Sequence, residues 1–479
     1  MSSIPHNAIG FGGALFQSIS HISPGVGLVF GLAPAMGVAG AAAPLSTLLG
    51  LIATLFVAYS LGQLSRAVPS AGYYMTWLSR AFSPRFGFLA AWITLFSEGT
   101  GPAALFLVMS WLMQGSLPAL LGWNPPWIVW DVLLAVILFL IACIGVKVSA
   151  GVGMVLGFIE LAVFTVLAAW LIIRAGAQNS FTLFTPQAPG VQGGWSGIFR
   201  GMIFVSAAFS GFETAAPLAE ETRNAKRNIP AAIVGATLVV GLFFIFAIYA
   251  GVLSWGPDRI GQYLQAANPW ESMARNVWGI AGIWIVFLAL LNSTIAVGNA
   301  SITAGSRLVF AMGRAGIFSQ RFARVSPVHR SPVAAITLIT GVNLIISIGV
   351  ALIFHGPVGG FSFLETMGGV LGMILYVSSC IAVPVLYLHS YRQDFSWIRH
   401  FLIPTIGVIC FIFPLVSSIY PLPKSPMNWA TYMDIAWLVA GILWLIILNR
   451  RDPQAVQNAA FVISNSPKGQ NPKGKKETP

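Results

Sequence analysis

The sequence predicts an all-α integral membrane protein of about 12 transmembrane helices, two of them broken near their middles. Composition is the first observation behind that fold class. The 479 residues are 57% hydrophobic and 8% charged, with a mean hydropathy of +0.82. Soluble domains carry about 25% charged residues, so no water-facing surface can be built from this chain. Apolar runs near the bilayer-crossing length of about 20 residues recur along it. They do not alternate polar with apolar, which excludes a membrane barrel.

The spans read as 11–36, 41–62, 86–115, 127–146, 151–173, 197–219, 230–254, 278–306, 332–354, 363–388, 401–420 and 431–449. With the N-terminus inside, 20 of the 25 Lys and Arg fall in cytoplasmic segments. Arg174, Arg200, Arg259, Arg275 and Lys424 are left outside. This positive-inside bias predicts a multi-pass plasma-membrane protein (inner membrane if bacterial) with both termini cytoplasmic. The net charge of +12 thus reports topology, and no nucleic-acid partner is expected. Cys143, Cys380 and Cys410 fall within apolar spans, so no disulfide framework is implied. No Lys or Arg precedes Arg66, so the basic start of a signal peptide is missing and the first span is retained.

The expected organisation is a short cytoplasmic N-terminus (1–10), one transporter-sized membrane body (11–450) and a disordered basic tail (451–479). Within the body, 11–174 and 197–388 read as two repeats, followed by extra helices over 401–449. Trp195, Trp255 and Trp270 lie in the outer connections 175–196 and 255–277, where aromatic residues usually anchor helix ends at the headgroups.

Pro24, Gly25 and Gly27 interrupt the first span, and Gly211, Glu213 and Pro217 the sixth. Proline removes a backbone donor and glycine lowers the cost of unwinding. Unwound backbone at membrane depth survives only where protein or a water-filled cavity satisfies it. Two breaks five spans apart occupy corresponding positions, the mark of an inverted repeat with its binding site at the midplane. Free N–H groups around Gly25, Val26 and Gly27 would face a carboxylate. Free carbonyls at Ala207, Ala208 and Ser210, beside Phe209 and Gly211, would face an ammonium. An α-amino acid carries both groups.

Four glutamates lie inside spans: Glu98, Glu160, Glu213 and Glu365. Each costs about 2.5–3.5 kcal/mol at a helix centre unless it finds a partner, a proton or water. Glu213, in the second break, is the leading coupling candidate, although it could equally cap a half-helix beginning near Ala215. Glu160 is mid-span and reads as a proton or cation site or as a hydrogen-bonded structural group. Glu98 could meet a cationic substrate or satisfy a helix contact. Glu365, near the outer end of its span, reads as solvated. His21 lies two residues before the first break and could titrate or make a helix contact. Ser293, Thr294, Ser301 and Thr303 could ligate sodium or bond back to their own helix. No phosphate loop, zinc cluster or nucleophile elbow is present, so no cofactor, metal or enzymatic activity is expected.

Over residues 10 to 450 the chain resembles the amino acid–polyamine–organocation (APC) transporters. Gly25-Val-Gly27 is similar to the family's Gly-Ser-Gly turn. Phe209-Ser-Gly-Phe-Glu213, Leu218-Ala-Glu-Glu-Thr222, Asn228-Ile-Pro230, Pro69-Ser-Ala-Gly72 with Tyr74, and Ser306-Arg-Leu308 also fit. The resemblance implies a five-plus-five inverted repeat with two extra helices, the LeuT-like fold. It also implies a substrate carboxylate at Gly25–Gly27, an amino group at Ala207–Ser210, and protonation of Glu213. This chain departs by having Glu160 where proton-coupled relatives place a Lys, and Ala207 where cationic-substrate exchangers place an aromatic. Tyr73, Gln63 and Ala225 also stand in for a usual Gly, Glu and Pro.

The expected function is a secondary active transporter for small to medium neutral amino acids, working by alternating access. A proton rather than sodium is the expected coupling ion, or the protein exchanges substrates. The alternatives are an amine, polyamine or cationic amino-acid exchanger of the same fold and, in a different class, a non-transporting sensor. The short tail argues against a sensor, and the scarcity of polar residues in the helices argues against a channel. Oligomeric state has no signature in the sequence.

Overall fold

The computed structural model describes residues 9–451, apart from 145, 267, 315, 327–330, 421 and 423–424. Most of the expected N-terminus (1–10) and tail (451–479) lies outside the described residues. The helices are α1 (Phe11–Ile22), α2 (Pro24–Val26), α3 (Ala33–Ala39), α4 (Ala43–Ala67), α5 (Tyr73–Ala81), α6 (Pro84–Leu121), α7 (Trp127–Ile144), α8 (Val146–Ala175) and α9 (Trp195–Ala208). They continue with α10 (Ala225–Trp255), α11 (Ile260–Gln265), α12 (Pro269–Trp278), α13 (Ile280–Arg314), α14 (Val333–Ile353), α15 (Pro357–Ser390), α16 (Ile403–Ile419) and α17 (Asn428–Arg451).

Among the described residues, ten continuous stretches are long and apolar enough to cross a membrane. The two expected spans missing from that set are 11–36 and 197–219, because both are interrupted. The first is cut at Ser23, a non-glycine residue held at φ 56, immediately before Pro24. A turn with wider i→i+5 bonding over Gly27–Gly31 then leads into α3. The second ends at Ala208. Residues 209–215 are irregular, with Gly211 at φ 98, and only the single turn Ala216–Leu218 follows before α10. A half-helix from Ala215 therefore does not form beyond one turn.

The two halves meet through equivalent members. α4 packs on α10, α6 on α13 and α7 on α14, which are the second, third and fourth spans of each five. This is the five-plus-five arrangement. The extra helices pack outside it, α16 against α4 and α15, and α17 against α6 and α15. Indole N–H groups of Trp92 and Trp437 donate to each other's backbone carbonyls at 2.9 and 3.0 Å, fastening α17 to α6. Outward residues such as Ile409, Phe413 and Leu443 are apolar and exposed, as a lipid-facing surface requires.

The connection 255–277 differs from expectation. It folds into α11 and α12, and Trp270 is fully buried rather than set at the headgroups. Its ring meets Phe164 edge-on at 5.7 Å and its N–H donates to the Tyr263 hydroxyl at 3.1 Å. Burial of this indole is tolerated because its N–H has a hydrogen-bond partner inside the protein. Trp195, by contrast, is exposed.

Arg66, Arg227 and Arg399 line one pocket, and Arg307 and Arg314 another beside Glu220 and Glu221; the end of the bundle that carries them is the basic end. There the chain is drawn shut. The Ile9 N–H donates to the Glu221 carbonyl at 3.0 Å, and the Arg223 N–H to the Ile9 carbonyl at 2.9 Å. Arg307 forms an ion pair with the buried Glu221, and Arg314 one with Glu220 at 3.9 Å. Removing one member of a buried pair strands the other, at a cost of about 3–5 kcal/mol. Arg307→Gln should therefore lower the thermal midpoint of the purified protein and expose a cysteine introduced at Thr222 to thiol labelling. An unchanged midpoint and unchanged labelling would show that this pair does not hold the basic end closed.

Candidate functional site

The first break is satisfied from within the protein. Glu160, on α8 and 1% exposed, accepts hydrogen bonds from the Gly25 N–H and from the Ser293 hydroxyl, the latter at 2.7 Å. Ser293, on α13, accepts in turn from the Val26 N–H at 3.2 Å, and its hydroxyl lies 2.6 Å from that of Ser23. The Gly27 N–H donates to the Ser23 carbonyl at 2.7 Å. The donors expected to be bare for a substrate carboxylate are thus all engaged, one of them by a carboxylate of the protein. The cause is local. Pro24 and the left-handed Ser23 turn the next N–H groups out of the helix, and α8 presents an acceptor at that height.

A cavity of about 140 Å³ is lined by residues of both breaks. Ligand sites for drug-sized molecules run to roughly 300–1,000 Å³, so this one suits a small solute. The breaks contribute His21, Val26, Gly27, Ala207, Ala208 and Ser210 to its wall. Ser23 of the first break, Thr100 of α6, Ser301 of α13 and Glu365 of α15 add to its polar lining. Among the described residues that line it, none is Lys or Arg.

Three expected site residues are placed elsewhere. Gly25 is behind the wall, against Glu160 and Phe164. Phe209 is fully buried, its ring 5.4 Å from Phe244. Gly211 presses on the His21 ring, where any side chain would overlap it, so the two breaks touch at this point. Glu213 stays in the second break but faces away from the cavity. It accepts from the hydroxyls of Tyr74 at 3.0 Å and Tyr376 at 3.2 Å, tying the break to α5 and α15. The Glu98 side chain lies outside the described residues. On α13 the Thr294 hydroxyl bonds back to the Leu290 carbonyl at 2.8 Å, and no metal-holding group of His, Cys, Asp and Glu occurs among the described residues.

Glu365, read from the sequence as solvated, is exposed, and it also lines the cavity, a place the sequence reading did not give it. Phe361, Leu364, Glu365 and Gly368 follow an i, i+3, i+4, i+7 spacing, one face of α15, and all four line the cavity. Small residues at Gly368 and Gly369 beside a carboxylate were the available signal. Asp131 and Asp434 are two further buried intramembrane acids, and Asp131 accepts from the Ser110 hydroxyl.

Comparison with known proteins places this architecture. The family model described as amino acid permease matches residues 13–454. The chain belongs to the amino acid permease family. Similar proteins include the low-affinity putrescine importer PlaP of Escherichia coli, 28% identical over 67% of this chain and 72% of the relative. The methylthioribose transporter of Bacillus subtilis is 24% identical over 90% of both chains. The branched-chain amino acid permease BcaP of Lactococcus lactis is 24% identical over 60% of this chain and 64% of the relative. Family and relatives are membrane transporters, not enzymes, and this permease is a multi-pass membrane protein.

In this permease the glycines of the first break leave no spare room. A Cβ at Gly25 would stand 2.9 Å from the Phe164 ring and 3.1 Å from Glu160 Oε1, and one at Gly27 2.7 Å from the Phe244 ring. Overpacking of this kind costs about 1–3 kcal/mol. Gly25→Leu and Gly27→Leu should insert and purify while losing substrate binding in a thermal-shift titration. Binding at wild-type affinity in both would place the site away from this break.

Proposed function

We propose that this permease carries a small amine, a cation without a carboxylate, through the cavity between its broken helices by alternating access. The observation that supports this reading best is the occupancy of the first break. Its N–H groups already serve Glu160, Ser293 and the Ser23 carbonyl, so a substrate carboxylate finds no donor there. The charged side chain in the cavity wall with unshared acceptor capacity to offer is Glu365, which suits an ammonium. Ala207 and Ser210 line the same cavity, where the Ala207 carbonyl accepts from the Ser210 N–H at 2.9 Å and keeps a second lone pair to offer. PlaP, among the relatives, is named for a diamine.

The neutral amino acid expected from the small residue at Ala207 remains the second reading. It requires Glu160 to leave Gly25 during the cycle, and BcaP, a relative named for branched-chain amino acids, favours it. Thermal-shift titration separates the two. Putrescine or a short monoamine should stabilise the protein more than alanine or leucine. Glu365→Gln should weaken amine binding by about tenfold or more, the worth of one charged hydrogen bond. Preference for alanine or leucine over every amine would overturn the amine reading.

Coupling is assigned to Glu213. As a carboxylate it can hold both tyrosine hydroxyls, whereas the protonated acid has less acceptor capacity and must place its own proton. Proton binding would therefore loosen the second break from α5 and α15, as opening of the basic end requires. Glu160 and His21 are the next candidates, since they hold the first break and its contact with the second. Uptake should rise as external pH falls from about 7.5 to about 5.5, with no sodium requirement. Glu213→Gln should retain binding and flatten that dependence. Strict sodium dependence, with the pH profile of Glu213→Gln matching wild type, would transfer coupling to the Ser23–Ser293–Glu160 cluster.

A further inference from the structure

A second, larger cavity of about 910 Å³ opens at the basic end, separate from the site between the breaks. Its cations come from three places: Arg66 at the end of α4, Lys226 and Arg227 at the start of α10, and Arg399 in the connection entering α16. All four are exposed. The side-chain ion pairs among the described residues are those of Arg307 and Arg314, so none of these four has a carboxylate within ion-pair distance. Asp394 is the single acid in the wall, leaving a clear positive excess.

The floor is built and polar. His400 stacks on Tyr387 with ring centroids 3.7 Å apart. Its Nδ1 accepts from the Ser396 N–H at 3.0 Å, which leaves the proton on Nε2, 3.3 Å from Gln63 Oε1. The Tyr387 hydroxyl donates to the Gln63 carbonyl at 3.2 Å. These bonds fix the floor in one arrangement while the guanidinium and ammonium groups ring the opening.

The surroundings are apolar and face outward. Trp397, Ile398 and Phe401 flank Arg399 and are 69%, 64% and 43% exposed. On α10, Ala231 and Val234 line the cavity, and the same helical face continues through the exposed Leu238 and Leu242 toward the bundle's middle. A positively charged chamber at one end of an exposed apolar track matches a phospholipid, its phosphate among the cations and its chain along α10.

We propose that this chamber binds a phosphate-bearing anion, most naturally the headgroup of an anionic phospholipid, as a site independent of the transported solute. The transport substrate, a small cation in the reading above, has no place among four positive side chains.

The test uses the full chain purified in detergent and follows the thermal midpoint against phosphatidylglycerol, phosphatidylcholine and inorganic phosphate in separate titrations. Wild type should show a saturable upward shift with phosphatidylglycerol and a much smaller one with phosphatidylcholine. In Arg227→Gln/Arg399→Gln the apparent affinity should fall about tenfold or more, since each basic group near a lipid phosphate contributes on the order of a factor of five. Arg66→Gln alone should show a smaller loss in the same direction. If inorganic phosphate gives the variant-sensitive shift and the lipid adds nothing, the site holds a soluble phosphate. Equal shifts with both lipids and none with phosphate, or a double variant responding like wild type, would overturn the proposal.

Discussion

Backbone unwound at membrane depth must find partners inside the protein, and in this permease Glu160 supplies the decisive one. A carboxylate buried among apolar helices and a string of N–H groups released by Pro24 are each costly alone. Together with the Ser293 and Ser23 hydroxyls they form one closed set of hydrogen bonds linking α8, α13 and the first break. The polar character of the cavity, and the solute class proposed from it, follow from that junction. Because the break's donors point into the set, the cavity behind Val26 and Gly27 has hydroxyl groups, His21 and the Glu365 carboxylate as its polar features rather than free N–H groups of Gly25, Val26 and Gly27.

The second break is held by a different device. Glu213 lies between tyrosine hydroxyls from α5 and α15, and the chain just beyond it is pinned by Glu221 to Arg307 and by Thr222 to the strand-like pairing with Ile9. Gly211 and His21 are where the two breaks meet. A change at Glu213 thus reaches the basic-end closure through a few residues of contiguous chain, whereas Glu160 acts on the other break. Glu160 and Glu213 thus serve different breaks, which is the basis for proposing coupling at Glu213 rather than at Glu160.

Much of the architecture is legible in the sequence. The breaks announce themselves through Pro24, Gly25 and Gly27, and through Gly211 and Pro217, because these residues have a backbone consequence that no packing partner is needed to reveal. The helix order follows from apolar run lengths alone. What was not legible depends on contacts between distant segments. Nothing near Glu160 says that Gly25, 135 residues earlier, will donate to it. Glu365 reads as a solvated residue near a helix end, and it is exposed, but only the packing of α15 shows that its face lines the cavity between the breaks. Trp270 reads as a headgroup anchor until α12 folds back over Phe164. The composition of a segment states which groups need partners, and only the fold states which partners they find.

The claim that Glu160 takes the place of a substrate carboxylate is tested most directly by removing it. In Glu160→Ala the Gly25 N–H and the Ser293 hydroxyl lose their acceptor, and the first break should begin to accept carboxylate-bearing ligands. Binding of alanine measured against binding of putrescine should shift toward alanine by at least about tenfold relative to wild type. A folded Glu160→Ala protein with the wild-type ranking of the two ligands would contradict the account.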